Sequence, residues 1–202
     1  MSDVSELGRP ISAVRLEHLA LSWRGCVGCG LSMSRTQVVF YKGNPNASLV
    51  VVGDSPGLDD DQQGRPFAGV IGRVLDGLFA EAKIVSDDIC YLHMVGCRAP
   101  SYRLPLASEL KACAPRTLDM IKTIDPDVLL LLGKTAAGLA KVTSVGPWRG
   151  MPIRCEIAGR SRCAVVSYHP AYLLRQPGEN MRKQMIFDFR VAYALARKDA
   201  EP

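Results

Sequence analysis

Apolar residues recur along this chain in two alternating rhythms. Short runs of β-branched and aliphatic residues occupy 49–53, 89–95, 127–133 and 163–167, each closed by a Gly, Pro or polar turn. Such runs read as buried strands. Between them, apolar positions return every three or four residues and predict helices over 11–23, 70–83, 108–124 and 179–197. The second stripe is Val70, Ile71, Val74, Leu75, Leu78 and Phe79, while Pro115 should kink or restart the third helix. Residues 38–41 are a candidate edge strand ahead of the turn Gly43-Asn44-Pro45-Asn46, and 153–157 should pair with 163–167 through a Gly159-Arg160 turn. Strands alternating with helices along the whole length predict one α/β domain over residues 1–202. Its centre would be a mostly parallel four-stranded sheet with helices on both faces, a three-layer sandwich.

Composition agrees with that picture. A chain of 202 residues, 48% apolar, can bury a core of its own. Its longest apolar runs are strand-sized, so no membrane span is expected. Residues 1–6 are acidic without an apolar stretch, which argues against a signal peptide and for a cytoplasmic protein. A net charge of +5 favours an anionic partner without demanding one. Arg175, Arg182, Lys183, Arg190, Arg197 and Lys198 gather around the last helix, as a solvated face or a phosphate-facing patch. Seven cysteines without an export signal point to thiol or metal chemistry rather than to disulfides.

Candidate chemistry collects at the ends of the strands. The run 49–53 stops in Gly53-Asp54-Ser55-Pro56-Gly57, and Gly64-Arg65-Pro66-Phe67 follows. Ligands of open α/β sheets bind at the carboxyl ends of strands, so Asp54 and the Phe67 ring are offered to one crevice. Of three histidines, His18 falls on the solvent side of the first helix and His93 near the end of the second strand. His169 follows the last strand and is stiffened by Pro170. Cys26-Val27-Gly28-Cys29 forms a C-x-x-C pair, and Cys97 and Cys113 lie at the ends of other elements. Four thiolates so gathered can hold an iron–sulfur cluster or a structural zinc. Taken singly, Cys97 and Cys113 also read as small buried hydrophobes, as do Cys90, Cys155 and Cys163 within strands. Gly133-Lys134-Thr135 looks like the tail of a phosphate-binding loop, but position 128 carries Val where that loop needs Gly. A dinucleotide G-x-G-x-x-G fingerprint is absent from the sequence.

Together these pieces resemble the uracil-DNA glycosylase superfamily, in particular its iron–sulfur branch, family 4. The family's Gly-Glu-Ala-Pro-Gly turn and Gly-Arg-Pro-Phe segment correspond to Gly53–Gly57 and Gly64–Phe67, and its late motif to His169-Pro170-Ala171-Tyr172-Leu173-Leu174-Arg175. The cluster ligands correspond in order and spacing to Cys26, Cys29, Cys97 and Cys113. The resemblance implies a DNA glycosylase that hydrolyses the N-glycosidic bond of uracil, or of a related deaminated or modified base, with a [4Fe-4S] cluster. It implies Asp54 and His169 as catalytic groups, with Gly53, Ser55, Gly57, Phe67 and His93 around the base. Phe67 would stack on the extruded base, the loop Tyr172-Leu173-Leu174 would fill the vacated stack, and Arg98 and Arg175 would meet phosphates. DNA would be the partner of a monomeric enzyme. Two positions depart from the family. Asp54 stands where Glu is usual, and His93 stands where an Asn reads the uracil edge. An imidazole carries its donor and acceptor on opposite sides and cannot copy an amide's paired face. Hence the alternatives of a different modified pyrimidine, or of a non-catalytic DNA-binding homologue.

Overall fold

The computed structural model describes residues 8–197; the acidic segment 1–6 and Lys198 lie outside the described residues. Six strands, β1 (Lys42–Gly43), β2 (Leu49–Gly53), β3 (Ile89–His93), β4 (Val128–Leu132), β5 (Pro152–Ile157) and β6 (Arg160–Ser167), form one sheet in the order β1-β3-β2-β4-β6-β5. The four apolar runs are its parallel centre. The expectation of four strands is thus short by two antiparallel edges, β1 on β3 and β5 on β6. The edge strand expected at 38–41 forms instead at 42–43. Val39 gives its N–H to the Gly96 carbonyl (2.7 Å), past the end of β3, and Val38 turns into a small cluster with Leu31, Val95 and Cys97. The β5–β6 hairpin turns through Ala158 and Gly159, both at positive φ (53° and 79°), one residue earlier than expected.

Helices α1 (Gly8–Trp23), α2 (Leu58–Gln63), α3 (Val70–Ala82), α4 (Ala107–Ile124), α5 (Lys134–Ala137), α6 (Ala171–Arg175) and α7 (Glu179–Arg197) complete the chain. Every residue of β2, β3 and β4 is buried, because helices cover both faces. Val50, Val52, Leu129 and Leu131 pack toward α1 and α4, while Val51, Leu130, Leu132 and Val165 pack toward α3 and α7. Each such side chain contributes roughly 1.5–3 kcal/mol by leaving water. α4 runs through Pro115 without a break. Pro115 and Lys111, whose carbonyl loses its partner, are both exposed, so water takes that bond. Among the described residues no helix is long and apolar enough to cross a membrane.

The connections place the site. The chain leaving β2 goes to α3 on one face, whereas those leaving β3 and β4 go to α4 and α5 on the other. Crevices therefore open on both sides of the carboxyl end of β2.

Candidate active site

Asp54 is the first residue beyond β2, and its carboxylate turns toward β4. There Gly133 (φ 92°) opens α5, and the Ala136 N–H donates to Asp54 Oδ1 (3.1 Å). A Cβ on Gly133 would stand 2.8 Å from Asp54 Oδ2. The Gly133-Lys134-Thr135 segment that looked like a phosphate loop is the seat of this carboxylate. Burial raises the Asp54 pKa above the ordinary aspartate value, and hydrogen bonds from Ala136 and Thr135 offset only part of that.

On the other side of β2, Gly53 faces His93 across the ladder. A Cβ at Gly53 would lie 2.7 Å from both His93 Nδ1 and Phe67 Cζ, so the missing side chain is what lets both rings in. The Phe67 and His93 ring centres are 4.7 Å apart, and the His169 ring lies 6.5 Å from Phe67 at an interplanar angle of 28°. Phe67 holds φ at 53°, a left-handed conformation that costs an L residue about 1–2 kcal/mol. Neighbours over-determine it. The Ala68 N–H is fixed by Asp60 at 2.7 Å, and the carbonyl of Phe67 fills the place a Gly72 Cβ would take.

Asp60, on α2, organises this wall. It accepts hydrogen bonds from the Gly57 N–H (3.1 Å), the Ala68 N–H (2.7 Å) and His93 Nε2 (2.9 Å). His93 Nδ1, on the other side of the ring, is buried and without a hydrogen-bond partner among the described residues. Those bonds hold Asp60 below the ordinary carboxylate range although burial pushes the other way. The Gly57 N–H is therefore already used within the wall. Next door, Asp61 is fully buried, takes the Thr36 N–H at 2.9 Å and faces Arg98 Nε at 3.7 Å.

His169 follows β6. Its Nδ1 accepts the Ala171 N–H (3.3 Å), which leaves the proton on Nε2, a donor free for a ligand. Burial pushes its pKa down to about 4, with the charges of His93 and Arg175 acting the same way. The imidazole is neutral at pH 7. Ser55, Gly57, Phe67, His93 and His169 share a cavity of about 350 Å³ with Val70, Ile71 and Tyr102. Asp54 sits behind this wall rather than on it. His169 also borders a second cavity of about 300 Å³, lined by Lys134, Thr143, Ser144, Tyr168 and Tyr172.

The segment expected to be a wedge loop is one helical turn, α6. Tyr172 and Leu174 are exposed, whereas Leu173 packs toward the α3–α7 core. The Arg175 guanidinium lies 4.9 Å from the Tyr172 ring centre. Several other arginines are committed within the protein. Arg103 forks onto both oxygens of Glu109 (2.8 and 2.6 Å). Arg182 pairs with Glu81 through Nε at 3.0 Å, and Arg190 holds the Ala82 carbonyl, tying α7 to α3. His18 is exposed, as its helical position implied.

Cys26, Cys29, Cys97 and Cys113 line a single cavity, together with Arg35. N–H groups already point at the sulfurs: Gly96 at Cys113 (3.3 Å), Arg116 Nε at Cys113 (3.4 Å), Arg35 Nη1 at Cys97 (3.5 Å) and Gly28 at Cys26 (3.5 Å). Burial raises the Cys97 thiol pKa, while Arg35 and Arg116 pull it down. Arg116 is 1% exposed, and its recorded partners are sulfurs, the Thr117 hydroxyl and the carbonyls of Val39 (3.1 Å) and His93 (2.8 Å). No carboxylate pairs with it among the described residues. A buried guanidinium without an anion is costly, and thiolates next to it would relieve that cost. Among the described residues no group of three or more His, Cys, Asp or Glu is placed to hold a metal ion. Four sulfurs on one zinc stand only about 3.8 Å apart, from Zn–S bonds of ~2.3 Å. Cys90 is buried with its thiol pushed up to about 12, an inert core residue.

Sequence reasoning missed Asp60 and Tyr102. An acidic triplet, Asp59-Asp60-Asp61, reads as solvated loop; its one usable signal was that Gly57 and Gly64 bracket it as helix caps. Nothing in Ser101-Tyr102 announced a cavity wall.

The chain is 35% identical over 177 residues to a type-4 uracil-DNA glycosylase of Thermotoga maritima, covering 86% of this chain and 91% of that one. It is 33% identical over 191 residues to a type-4 uracil-DNA glycosylase of Saccharolobus solfataricus, covering 91% and 88%. Residues 40–190 match the model of the uracil DNA glycosylase superfamily, and the chain belongs to that superfamily.

Proposed function

We propose that this protein hydrolyses the N-glycosidic bond of uracil in DNA, the first step of base excision repair. The observation that carries the reading is the pair of groups flanking β2 and β6. Asp54 is a buried carboxylate fixed on α5, and His169 is a neutral imidazole with a free Nε2–H on the wall of a base-sized cavity. Bond cleavage builds positive charge on the sugar and negative charge on the departing base. Ionised Asp54 would stabilise the first and orient the attacking water, whose oxygen replaces the base nitrogen at C1′. His169 would donate from Nε2 to a carbonyl oxygen of the base and stabilise the second. Phe67 would stack on the base after extrusion, which any enzyme reaching C1′ requires.

Cys26, Cys29, Cys97 and Cys113 would hold a [4Fe-4S] cluster. Support comes from their shared cavity, the N–H groups aimed at the sulfurs and the unpaired charge of Arg116. Four thiolates facing one cavity are the donor set of such a cluster, with a structural zinc as the alternative occupant. When bound it would tie the cysteine loop to α4; hydrolysis of the base needs no redox step from it. None of the seven cysteines is in a disulfide. Leu174, Tyr172 and Arg175 would face the DNA from α6, with the enzyme acting as a monomer. The test is alkaline strand scission of uracil-containing single- and double-stranded oligonucleotides. Wild type should cut both after alkali, and Asp54→Asn and His169→Ala should each lose about 10²–10⁴ in rate. Wild-type protein that leaves the uracil in place would end this reading.

A further inference from the structure

The mouth of the base cavity carries an aromatic residue that the Asp54–His169 pair does not use. Tyr102 lines the cavity with Phe67 and His169, yet is 81% exposed. Its ring and hydroxyl have no recorded hydrogen bond or ring contact among the described residues. The backbone beneath it is strained. Ser101 and Tyr102 hold φ at 54° and 55°, two successive left-handed residues without a glycine. A tyrosine idling in solvent needs no such backbone. Strain of this kind persists only where surrounding contacts over-determine it, commonly at ligand sites.

Those contacts are present on both sides. Arg103, the next residue, forks onto the buried Glu109 carboxylate, which also takes the Leu106 N–H at 2.7 Å. On the other side Pro100 fixes its own φ, and Ala99 is buried in the cluster with Cys97. The ring is therefore exposed on an anchored backbone, aimed rather than loose. Both of its faces are free, and a free aromatic face is a sequence-tolerant partner for any nucleobase.

We propose that Tyr102 is a substrate-contacting residue whose ring stacks on the nucleotide extruded into the Phe67–His169 cavity and closes its mouth. The inference rests on the glycosylase reading and adds a second aromatic surface to it. Tyr102 would hold the extruded nucleotide without touching the bond that breaks. Its loss should therefore appear in KM and in extrusion rather than in kcat.

The experiment compares wild type with Tyr102→Phe, Tyr102→Ala and Tyr102→Gly on uracil-containing oligonucleotides, with 2-aminopurine beside the uracil as a fluorescent reporter of extrusion. Tyr102→Phe should match wild type, because the ring acts and the hydroxyl does not. Tyr102→Ala should raise KM roughly tenfold to a hundredfold, the loss of one base–aromatic stack, and weaken the 2-aminopurine signal with kcat little changed. Tyr102→Gly should raise Tm by releasing left-handed strain yet bind as poorly as the alanine variant, which separates binding from folding. Wild-type cleavage with an unchanged KM and fluorescence in Tyr102→Ala, or a phenylalanine variant as damaged as alanine, would overturn this inference alone. A wild type without uracil cleavage would overturn the glycosylase reading and this inference with it.

Discussion

His169 should make the protein less stable in acid, and the size of the effect follows from its surroundings. Its pKa is pushed down to about 4 by burial first, then by the charges of His93 and Arg175. In the unfolded chain the same ring titrates near 6.5. Between those two values the unfolded chain binds a proton that the native protein refuses. Native stability must then fall as pH drops through 6.5 and level off below about 4, because stability rises with pH wherever the unfolded state holds more protons. A shift of about 2.5 units at ~1.36 kcal/mol per unit gives roughly 3 kcal/mol as an upper bound. The ring keeps partial contact with solvent, so screening leaves about 1.5 kcal/mol or more. The assay is urea unfolding of wild type and His169→Gln from about pH 7.5 to about pH 4.5, a window that spans most of the titration. Glutamine keeps a donor amide and cannot titrate. The stability difference between the two proteins should move toward the variant by about 1.5–3 kcal/mol as acid is added. A difference that stays constant, or moves toward wild type, would refute a neutral buried His169. The same account requires glycosylase activity to pass through pH ~6.5 without a step from this residue.

Gly133→Ala places a Cβ 2.8 Å from Asp54 Oδ2 on a backbone at φ 92°. It should cost about 1–2 kcal/mol in urea melts and lower kcat by displacing the carboxylate, with KM nearly unchanged. Asp60→Asn sets an amide N–H₂ against donors, so at least one of the bonds from Gly57, Ala68 and His93 is lost. Thermal unfolding should show about 1–3 kcal/mol of destabilisation, with a raised KM as the His93 ring is released. Arg116→Met removes the buried cation beside Cys113. Iron and sulfide analysis of anaerobically purified protein should find about four iron per chain in wild type and markedly less in the variant. Equal iron in both would disconnect Arg116 from the cysteine cavity.

The sheet was legible because its strands are uniform apolar runs ended by turns, and burial on both faces demands such runs. The edges were not, because pairing at an edge depends on where neighbouring backbone groups fall. Val38 and Val39 have strand composition, but the Val39 N–H finds Gly96 beyond the ladder. Asp54, His93 and His169 could be named from sequence as strand-end residues and Phe67 as a ring on the loop after β2, and the structure brings the last three to one cavity. The turning of Asp54 toward α5 could not be foreseen, since it depends on β4 lying beside β2 rather than on any local pattern. Asp60 and Asp61 were hidden for a related reason. Three consecutive carboxylates look solvated, yet α2 rotates two of them inward, where backbone N–H groups and His93 await them.

Arg116 links the cysteine cavity to the cavity lined by Phe67, His93 and His169. Its guanidinium spans from Cys113 Sγ to the carbonyl of His93, the last residue of β3 and a wall of the base cavity. Its neighbour on α4, Thr117, reinforces that strand end by donating to the Met94 carbonyl at 3.0 Å. A buried cation bonded only to neutral carbonyls, a hydroxyl and sulfur gains most of its stabilisation from whatever negative charge the sulfurs carry. Thiolates in the cysteine cavity would hold Arg116 in place, and Arg116 would hold the end of β3. Removing their charge would loosen first the strand end that presents His93, some distance from any sulfur. On the proposed reading, the cysteine cavity would serve the hydrolase by electrostatic anchoring of that strand end.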